Sequence, residues 1–139
     1  MILKFEKTDR AHVSSPERQQ LRYQELAAIL GEYGYLTAWN PGKYTHFSMR
    51  HVGSSQELRV RVSGRLLLRK DMLGGDHWLA FQDQDQWYLA PHDELVSAVH
   101  GVTSYQTSES WLSGGLHSFP GLSGGISAVL KPYVVKAGQ

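Results

Sequence analysis

The sequence predicts a mixed α/β (α+β) fold in which a central sheet of about four to five strands is flanked by helices. Three observations lead to this prediction: a helical pattern near the start, a series of strand-like segments after it, and a second short helical pattern beyond them. The 139 residues, of which 41% are hydrophobic, suffice for one buried core. We therefore expect a single domain over residues 1–139, with an N-terminal segment at 1–14 and a Gly/Ser-rich loop region at 103–125.

A helix is predicted over about residues 16–33. The pair Ser14-Ser15 offers a serine, a typical N-cap residue. Pro16 and Glu17 suit the first turn, because the proline nitrogen needs no partner there and the carboxylate meets the positive end of the helix dipole. Gly34 offers a stop, since glycine tolerates the left-handed backbone at a helix end. The apolar face that recurs at helical spacing consists of Leu26, Ile29, Leu30 and Tyr33.

The other elements are predicted from β-branched and aromatic runs bounded by turn residues. The predicted strands are residues 35–39, 45–52 and 57–68, followed by an aromatic hairpin of 78–81 and 87–90. A short helix follows, and we attribute the run His92, Asp93 and Glu94 at its start to capping and dipole effects. A closing helix is predicted at 126–133, interrupted near Pro132.

The segment from Glu57 to Arg65 alternates charged and aliphatic residues. In a strand, neighbouring side chains point to opposite faces, so one face can enter a core while the other carries a cationic stripe. The aliphatic face consists of Leu58, Val60 and Val62, and the opposite face of Glu57, Arg59, Arg61, Ser63 and Arg65. The arginines are spaced by roughly 7 to 20 Å along an extended strand, which suits successive phosphates. The alternative is an ordinary solvated face whose arginine stems cover apolar neighbours.

Composition excludes several kinds of site. The chain has no cysteine, which excludes disulfides and thiolate metal ligands, and its net charge of +1 leaves any binding of polyanions to local clusters. The seven histidines form no His-Glu-x-x-His array, so a surface or hydrogen-bonding role is expected for each. No phosphate loop is present, and we expect no hydrolase elbow at Ser54 or Ser123. Charges from Lys4 onward argue against a signal peptide, so we expect a cytoplasmic protein without a membrane segment.

Three stretches of the chain resemble the PD-(D/E)XK nuclease superfamily, in particular its small prokaryotic endonuclease-like members. They are Leu58–Leu66, Asp76–Phe81 and Trp87–Leu95. Later segments that are similar to the ends of such domains are Ser110-Trp111 and Leu130-Lys131-Pro132-Tyr133. The resemblance extends over about residues 16–133, and it implies a restriction-endonuclease-like fold with a central mixed sheet.

Active members of this superfamily, as the resemblance implies, cut nucleic acid with Mg²⁺ bound by an Asp on the second strand and a Glu or Gln on the third, with a Lys two residues later. Carboxylate oxygens suit this hard cation, which activates water and neutralises the phosphate. This chain has His46, Arg61 and Ser63 at the three positions. Because an arginine stays protonated and repels Mg²⁺, we expect a degenerate motif with no metal, no other cofactor and no cleavage.

The leading hypothesis is a nuclease-fold domain without cleavage activity that binds DNA or RNA or acts as an interaction subunit. Its expected phosphate contacts are Arg59, Arg61, Arg65, Arg69 and Lys70. One alternative is a Mg²⁺-dependent endonuclease whose active-site residues have migrated, with Glu25, His46 and Glu57 as candidates. A second alternative is a structural domain that binds another protein or associates with itself.

Overall fold

The chain contains both helices and strands, and the strands form a mixed sheet, which confirms the mixed α/β class. The structure is a computed structural model that describes residues 2–136. The helices are α1 (Ser15–Glu32), α2 (His92–His100), α3 (Glu109–Leu112) and α4 (Gly124–Leu130). The strands are β1 (Tyr35–Trp39), β2 (Phe47–His51), β3 (Leu58–Ser63), β4 (Leu66–Arg69), β5 (Trp78–Asp83), β6 (Gln86–Pro91), β7 (Leu116–Phe119) and β8 (Val134–Val135). Short 3-10 helices lie at Arg10–His12, Lys70–Met72, Tyr105–Thr107 and Lys131–Tyr133.

A mixed sheet of six strands forms the centre of the fold, with the strand order β1-β2-β3-β5-β6-β8. The strands β3 and β5 pair in parallel, and the other neighbouring pairs described are antiparallel. All five strands expected from the sequence contribute to this sheet. The sixth is the two-residue β8, which pairs with β6 just after the predicted closing helix.

Helix α1 begins and ends within one residue of its predicted bounds. The Ser14 hydroxyl accepts a hydrogen bond from Glu17 N at 3.3 Å and donates one to Glu17 Oε1 at 2.7 Å, so the pair fixes the helix start. Gly34, with a φ of +85°, follows the helix in the left-handed region that glycine favours. Leu26 and Leu30 are buried against one face of the central sheet.

The central sheet carries a different apolar core on each face. The first core lies between α1 and the sheet and contains Leu26, Leu30, Phe47, Met49, Val60, Val62, Ala80 and Trp87. The second lies on the opposite face of β5 and β6, where Leu79 and Phe81 pack with apolar residues of α2 and α4. Because β5 is buried on both faces, its sequence from Trp78 to Phe81 is continuously apolar.

The third predicted strand, residues 57–68, is divided in two, which corrects the sequence analysis. Strand β3 ends before Gly64, and the chain then enters β4, which pairs with β7 in a separate two-stranded sheet. Leu66 and Leu68 are buried in the second core, and this burial favours the change of layer over a longer strand in the central sheet. At the turn, Arg22 Cζ lies 2.9 Å from the position that a Cβ on Gly64 would take.

The predicted loop region 103–125 contains regular structure, which also corrects the sequence analysis. Helix α3 and strand β7 lie within it, and α4 begins at its end. Strand β7 forms because it pairs with β4, a long-range contact that the local sequence does not reveal. The closing helix is confirmed as α4 followed by the 3-10 turn that contains Pro132. None of the described helices has the length and apolar character required to cross a membrane.

Candidate functional site

The central sheet leaves one of its faces uncovered over β1, β2 and β3. Helix α1 covers the other face, onto which Val60 and Val62 point. Their neighbours in β3 point the opposite way, and cross-strand partners in β2 and β1 extend this surface. We call it the open face, and it is formed by Leu36, Ala38, Ser48, Arg50, Arg59 and Arg61. None of these six residues is buried.

The alternation predicted for β3 is present, but the cationic stripe is shorter than expected. Arg59 and Arg61 lie on the open face, while the aliphatic residue between them is buried. Glu57 precedes β3 and Arg65 follows it, both exposed and outside the strand. Ser63 belongs to the strand but is buried, and its hydroxyl accepts a hydrogen bond from Arg65 N at 3.4 Å. The stripe on the strand therefore consists of two arginines.

Both arginines are held at their tips by backbone carbonyl groups. Arg59 Nη2 donates to Gly75 O at 3.2 Å, and Arg61 Nη1 donates to Lys43 O at 3.2 Å. Partial burial, and secondarily the charge of Arg69, lower the pKa of Arg61, although an arginine in a protein stays protonated. In the part of the chain that the structure describes, Arg61 forms no ion pair with a carboxylate. Its guanidinium is therefore a fixed positive charge with further donors for a ligand.

Two of the other predicted phosphate contacts have partners within the chain. The Arg69 guanidinium binds Asp71 through Nε to Oδ1 at 2.9 Å and through Nη2 to Oδ2 at 2.8 Å. These hydrogen bonds raise the pKa of Arg69 and lower that of Asp71. Lys70 Nζ lies 5.3 Å from the ring centre of Trp111, a cation–π distance. The charge of Arg69 is thus offset locally by a carboxylate.

His46 lies beside Arg61 at the start of β2. Phe47 pairs with Val60 across β2 and β3, so His46 is next to Arg61 in the register. Its Nδ1 accepts a hydrogen bond from Val62 N at 2.9 Å, which leaves the ring hydrogen of the neutral form on Nε2. Burial, and secondarily the charge of Arg61, lower the pKa of His46 to about 4. At neutral pH the ring is uncharged and offers one N–H donor.

His46 and Arg61 share a cleft of about 400 Å³ at the end of the sheet, between the loop that joins β1 to β2 and the first turns of α1. Arg61 lies beyond the start of β2 in the register, where its side chain reaches this loop. Trp39 forms one wall and stacks on the His46 ring, with centroids 5.6 Å apart and planes inclined by 19°. Gln19 and Glu17 of α1 also line the cleft, and Glu17 is the residue bonded to the N-cap serine. A guanidinium beside an imidazole N–H suits an anion that accepts hydrogen bonds, such as phosphate.

The candidates for a migrated metal site are not brought together. Glu25 on α1 forms an ion pair with Arg10, and Glu57 is exposed ahead of β3. The Nδ1 lone pair of His46 accepts the hydrogen bond from Val62 N. Among the described residues, no three histidine, aspartate or glutamate side chains form a group that could hold a metal ion.

The residues at the three motif positions do not fit Mg²⁺. Arg61 carries a positive charge, His46 is neutral with its free nitrogen protonated, and Ser63 offers a buried hydroxyl. A hard divalent cation prefers oxygen ligands, above all carboxylates. Arg61 and His46 thus offer hydrogen-bond donors at positions where Mg²⁺ would need carboxylate ligands.

His92, which the sequence analysis attributes to helix capping, is instead a fully buried link between elements. Its Nε2 accepts a hydrogen bond from Arg69 N at 3.0 Å, and its Nδ1 lies 3.1 Å from Asp93 Oδ1. Asp93 Oδ2 in turn accepts a hydrogen bond from Gly74 N at 2.9 Å. Burial, opposed by the hydrogen bond to Asp93, lowers the pKa of His92. Among the residues that the structure describes, no side chain caps the start of α2, although Asp93 and Glu94 lie in its first turn as predicted.

Sequence reasoning missed Arg22, which adds positive charge near the end of β3. Its guanidinium lies against Gly64, and burial, followed by the charge of Arg18, lowers the pKa of Arg22. The spacing of Arg18 and Arg22, one helical turn apart, was the available signal. Lys43, whose carbonyl oxygen binds Arg61, was also missed because it lies in a turn without a recognisable pattern.

The segment from Gly121 to Gly125 fits the Gly-x-Ser-x-Gly pattern of hydrolases, but its serine is a helix cap. Ser123 has an ordinary extended backbone, with φ −67° and ψ 164°. Its hydroxyl accepts a hydrogen bond from Ile126 N at 3.3 Å at the start of α4. A nucleophile elbow needs a strained turn that exposes the hydroxyl, and this geometry differs from it.

In comparisons with known proteins, no family model matches this chain, and neither a curated protein nor a solved structure matches it.

Proposed function

We propose that this chain is a restriction-endonuclease-like domain that binds the phosphates of nucleic acid without cleaving them. The supporting observation is that Arg61 and His46 share one cleft, at the positions where the resemblance implies metal ligands. In a metal-dependent nuclease, the cation neutralises the phosphate. Here the Arg61 guanidinium supplies a fixed positive charge, and the His46 Nε2–H supplies a neutral donor beside it.

Arg59 extends the binding site along the open face. It is exposed and stands two residues before Arg61, about 7 Å away along the strand. Arg50 lies on the same face in β2, where it can contact the nucleic acid that binds Arg59 and Arg61. The open face is thus locally positive, although the whole chain has a net charge of only +1.

The five basic residues predicted to contact phosphates should contribute unequally. Arg59 and Arg61 contribute most, because they share the open face and are held by backbone carbonyls rather than by carboxylates. Arg69 contributes less, because a carboxylate already offsets its charge. Lys70 lies over an aromatic ring outside this face, and Arg65 acts from an exposed turn beyond the strand.

A binding assay on the full chain tests the proposal, with labelled single- and double-stranded DNA and RNA as probes. Fluorescence anisotropy at salt concentrations of roughly 50 to 200 mM gives the affinity and its salt dependence. We expect Arg59→Ala and Arg61→Ala each to weaken binding and to reduce the salt slope by about one. Lys131→Ala removes the same charge at an exposed position after α4, so this matched control should bind like the parent chain.

Cleavage is measured by incubating the same labelled probes with the chain in the presence of Mg²⁺ or Mn²⁺. Absence of binding at low salt would overturn the phosphate-contact proposal and leave protein interaction as the function. Metal-dependent cleavage that is lost in Glu57→Ala would establish the endonuclease alternative instead. Melting curves of each variant separate loss of binding from loss of folding.

A further inference from the structure

Strand β1 is an unprotected edge of the central sheet. The described sheet ends at β8 on one side and at β1 on the other. Strand β8 has two residues, whereas β1 pairs with β2 over five consecutive residues without a bulge. Native proteins usually blunt such edges with charges, prolines or bulges, because unpaired backbone groups attract further strands. The sequence Tyr35-Leu36-Thr37-Ala38-Trp39 contains no charged residue and no proline.

The hydrogen-bond pattern determines which backbone groups of β1 face outward. Asn40 N donates to His46 O, and Val52 N donates to Gly34 O, both at 2.9 Å. In an antiparallel ladder such bonded pairs recur at every second residue. The residues that turn toward β2 are therefore Gly34, Leu36, Ala38 and Asn40. Those that turn their N–H and C=O groups outward are Tyr35, Thr37 and Trp39.

We propose that β1 pairs antiparallel with β1 of a second copy of this chain, about a two-fold axis at Thr37. The outward residues are symmetric about Thr37, so the strand is complementary to itself. Thr37 then pairs with Thr37 of the second copy, and Tyr35 pairs with Trp39 in both directions. Each of these three pairs exchanges two backbone hydrogen bonds. This register uses every outward-facing backbone group of β1.

The side chains of β1 suit this partner on both faces of the sheet. On the face covered by α1, the register places an aromatic ring of one copy opposite an aromatic ring of the other, a favourable cross-strand pair. On the open face, it places Leu36 opposite Ala38 of the second copy. Leu36 is 53% exposed, so the pairing covers apolar surface at this edge.

The two-fold axis keeps the open faces of both copies on one side of a continuous sheet. From β3 of one copy to β3 of the other there are five strand spacings, or about 24 Å. The dimer therefore presents two Arg59 and Arg61 pairs on a single surface. Self-association does not depend on nucleic-acid binding, so each proposal can fail without the other.

Disulfide trapping tests the register, and the absence of cysteine from the chain removes any background. Leu36 and Ala38 of the second copy form a non-bonded pair with Cα atoms about 4.5 Å apart, within the range that a disulfide spans. Leu36→Cys and Ala38→Cys should each stay uncross-linked alone under mild oxidation, and should form a covalent dimer when mixed. Equal cross-linking of either variant alone, or none in the mixture, would overturn the register.

Sedimentation over a series of protein concentrations tests the edge itself. The parent chain should show a dimer that dissociates on dilution. Thr37→Pro removes the central outward N–H without touching a bond to β2, so it should be monomeric at concentrations where the parent is dimeric. Thr37→Val is the matched control, because it also loses the hydroxyl contact with Tyr23 but keeps the amide. A monomeric parent, or a dimer unaffected by Thr37→Pro, would overturn the proposal.

Discussion

The neutral state of His46 makes the stability of the protein depend on pH. The unfolded chain protonates this histidine near its ordinary pKa of 6.5, whereas burial and Arg61 lower the pKa in the folded state to about 4. Between these values the unfolded state binds the proton and the folded state does not. Stability from the neutral ring is therefore fully present above pH 6.5 and is lost as the pH falls toward 4.

The size of the loss follows from the two pKa values. At pH 4.5, these two pKa values limit the loss in the free energy of unfolding to about 2.5 kcal/mol. The ring is half-buried, and solvent screening reduces the expected loss to about 1 kcal/mol. Glu17, which lines the same cleft, is a further acidic group that faces this region.

The assay compares the parent chain with His46→Asn, in which the amide oxygen can accept the hydrogen bond from Val62 N but does not titrate. Urea unfolding followed by tryptophan fluorescence at pH 7.5 and pH 4.5 gives the free energy of unfolding of each. The parent should lose about 1 kcal/mol more than the variant between the two pH values. His77 and His92 titrate in both proteins and cancel in the comparison. Equal losses would refute the assignment of a half-buried neutral His46.

Three further outcomes are expected. Gly34→Ala should destabilise the fold by about 1 to 2 kcal/mol in urea unfolding, because the backbone is left-handed there and a Cβ would lie 3.0 Å from His51 Nε2. His92→Ala should cost about 2 to 4 kcal/mol, since it leaves Arg69 N without its acceptor and opens a cavity, and His92→Gln should recover part of the loss. Arg61→Lys should bind nucleic acid more weakly than the parent in the anisotropy assay while keeping the same charge, because the planar fork of donors is lost. Unchanged stability of Gly34→Ala or of His92→Ala would contradict the first or the second expectation. Unchanged affinity of Arg61→Lys would contradict the third.

The central sheet could be predicted because its signals are local. Alternation gave the two faces of β3, and cap and turn residues gave the bounds of α1. The β5–β6 hairpin was also predicted, although its turn is tighter than the five-residue tip expected. Gln84 and Asp85 form a two-residue turn with φ values of 49° and 65°, a left-handed conformation without the glycine that usually marks it.

The second layer could not be predicted because its partners are distant in the sequence. Residues 57–68 look like one strand, and only the burial of Leu66 and Leu68 in the second core explains why the chain leaves the central sheet at Gly64. Strand β7 lies among serines and glycines, where composition favours a loop. Its existence depends on β4.

The sequence analysis named residues of the candidate site but not their arrangement. The resemblance placed His46 and Arg61 at related positions, and the register between β2 and β3 makes them neighbours. The sequence did not reveal that Asp71 binds Arg69, nor that His92 accepts a hydrogen bond from the same residue's backbone. Such contacts depend on side chains meeting across elements, which periodicity does not describe.

The pairing of β4 with β7 also bears on the order in which the chain folds. Leu66 pairs with Phe119 and Arg69 with Leu116, so this contact closes a loop of roughly 50 residues, at an entropic cost of about 3.5 kcal/mol. The meander from β1 to β3 and the hairpin of β5 and β6 close much shorter loops and can form earlier. We expect the amide hydrogens of β7 to be among the last to gain protection in a pulse-labelled refolding experiment. The serine- and glycine-rich segment then gains its structure late in folding. The strand that carries Arg59 and Arg61 gains its structure early.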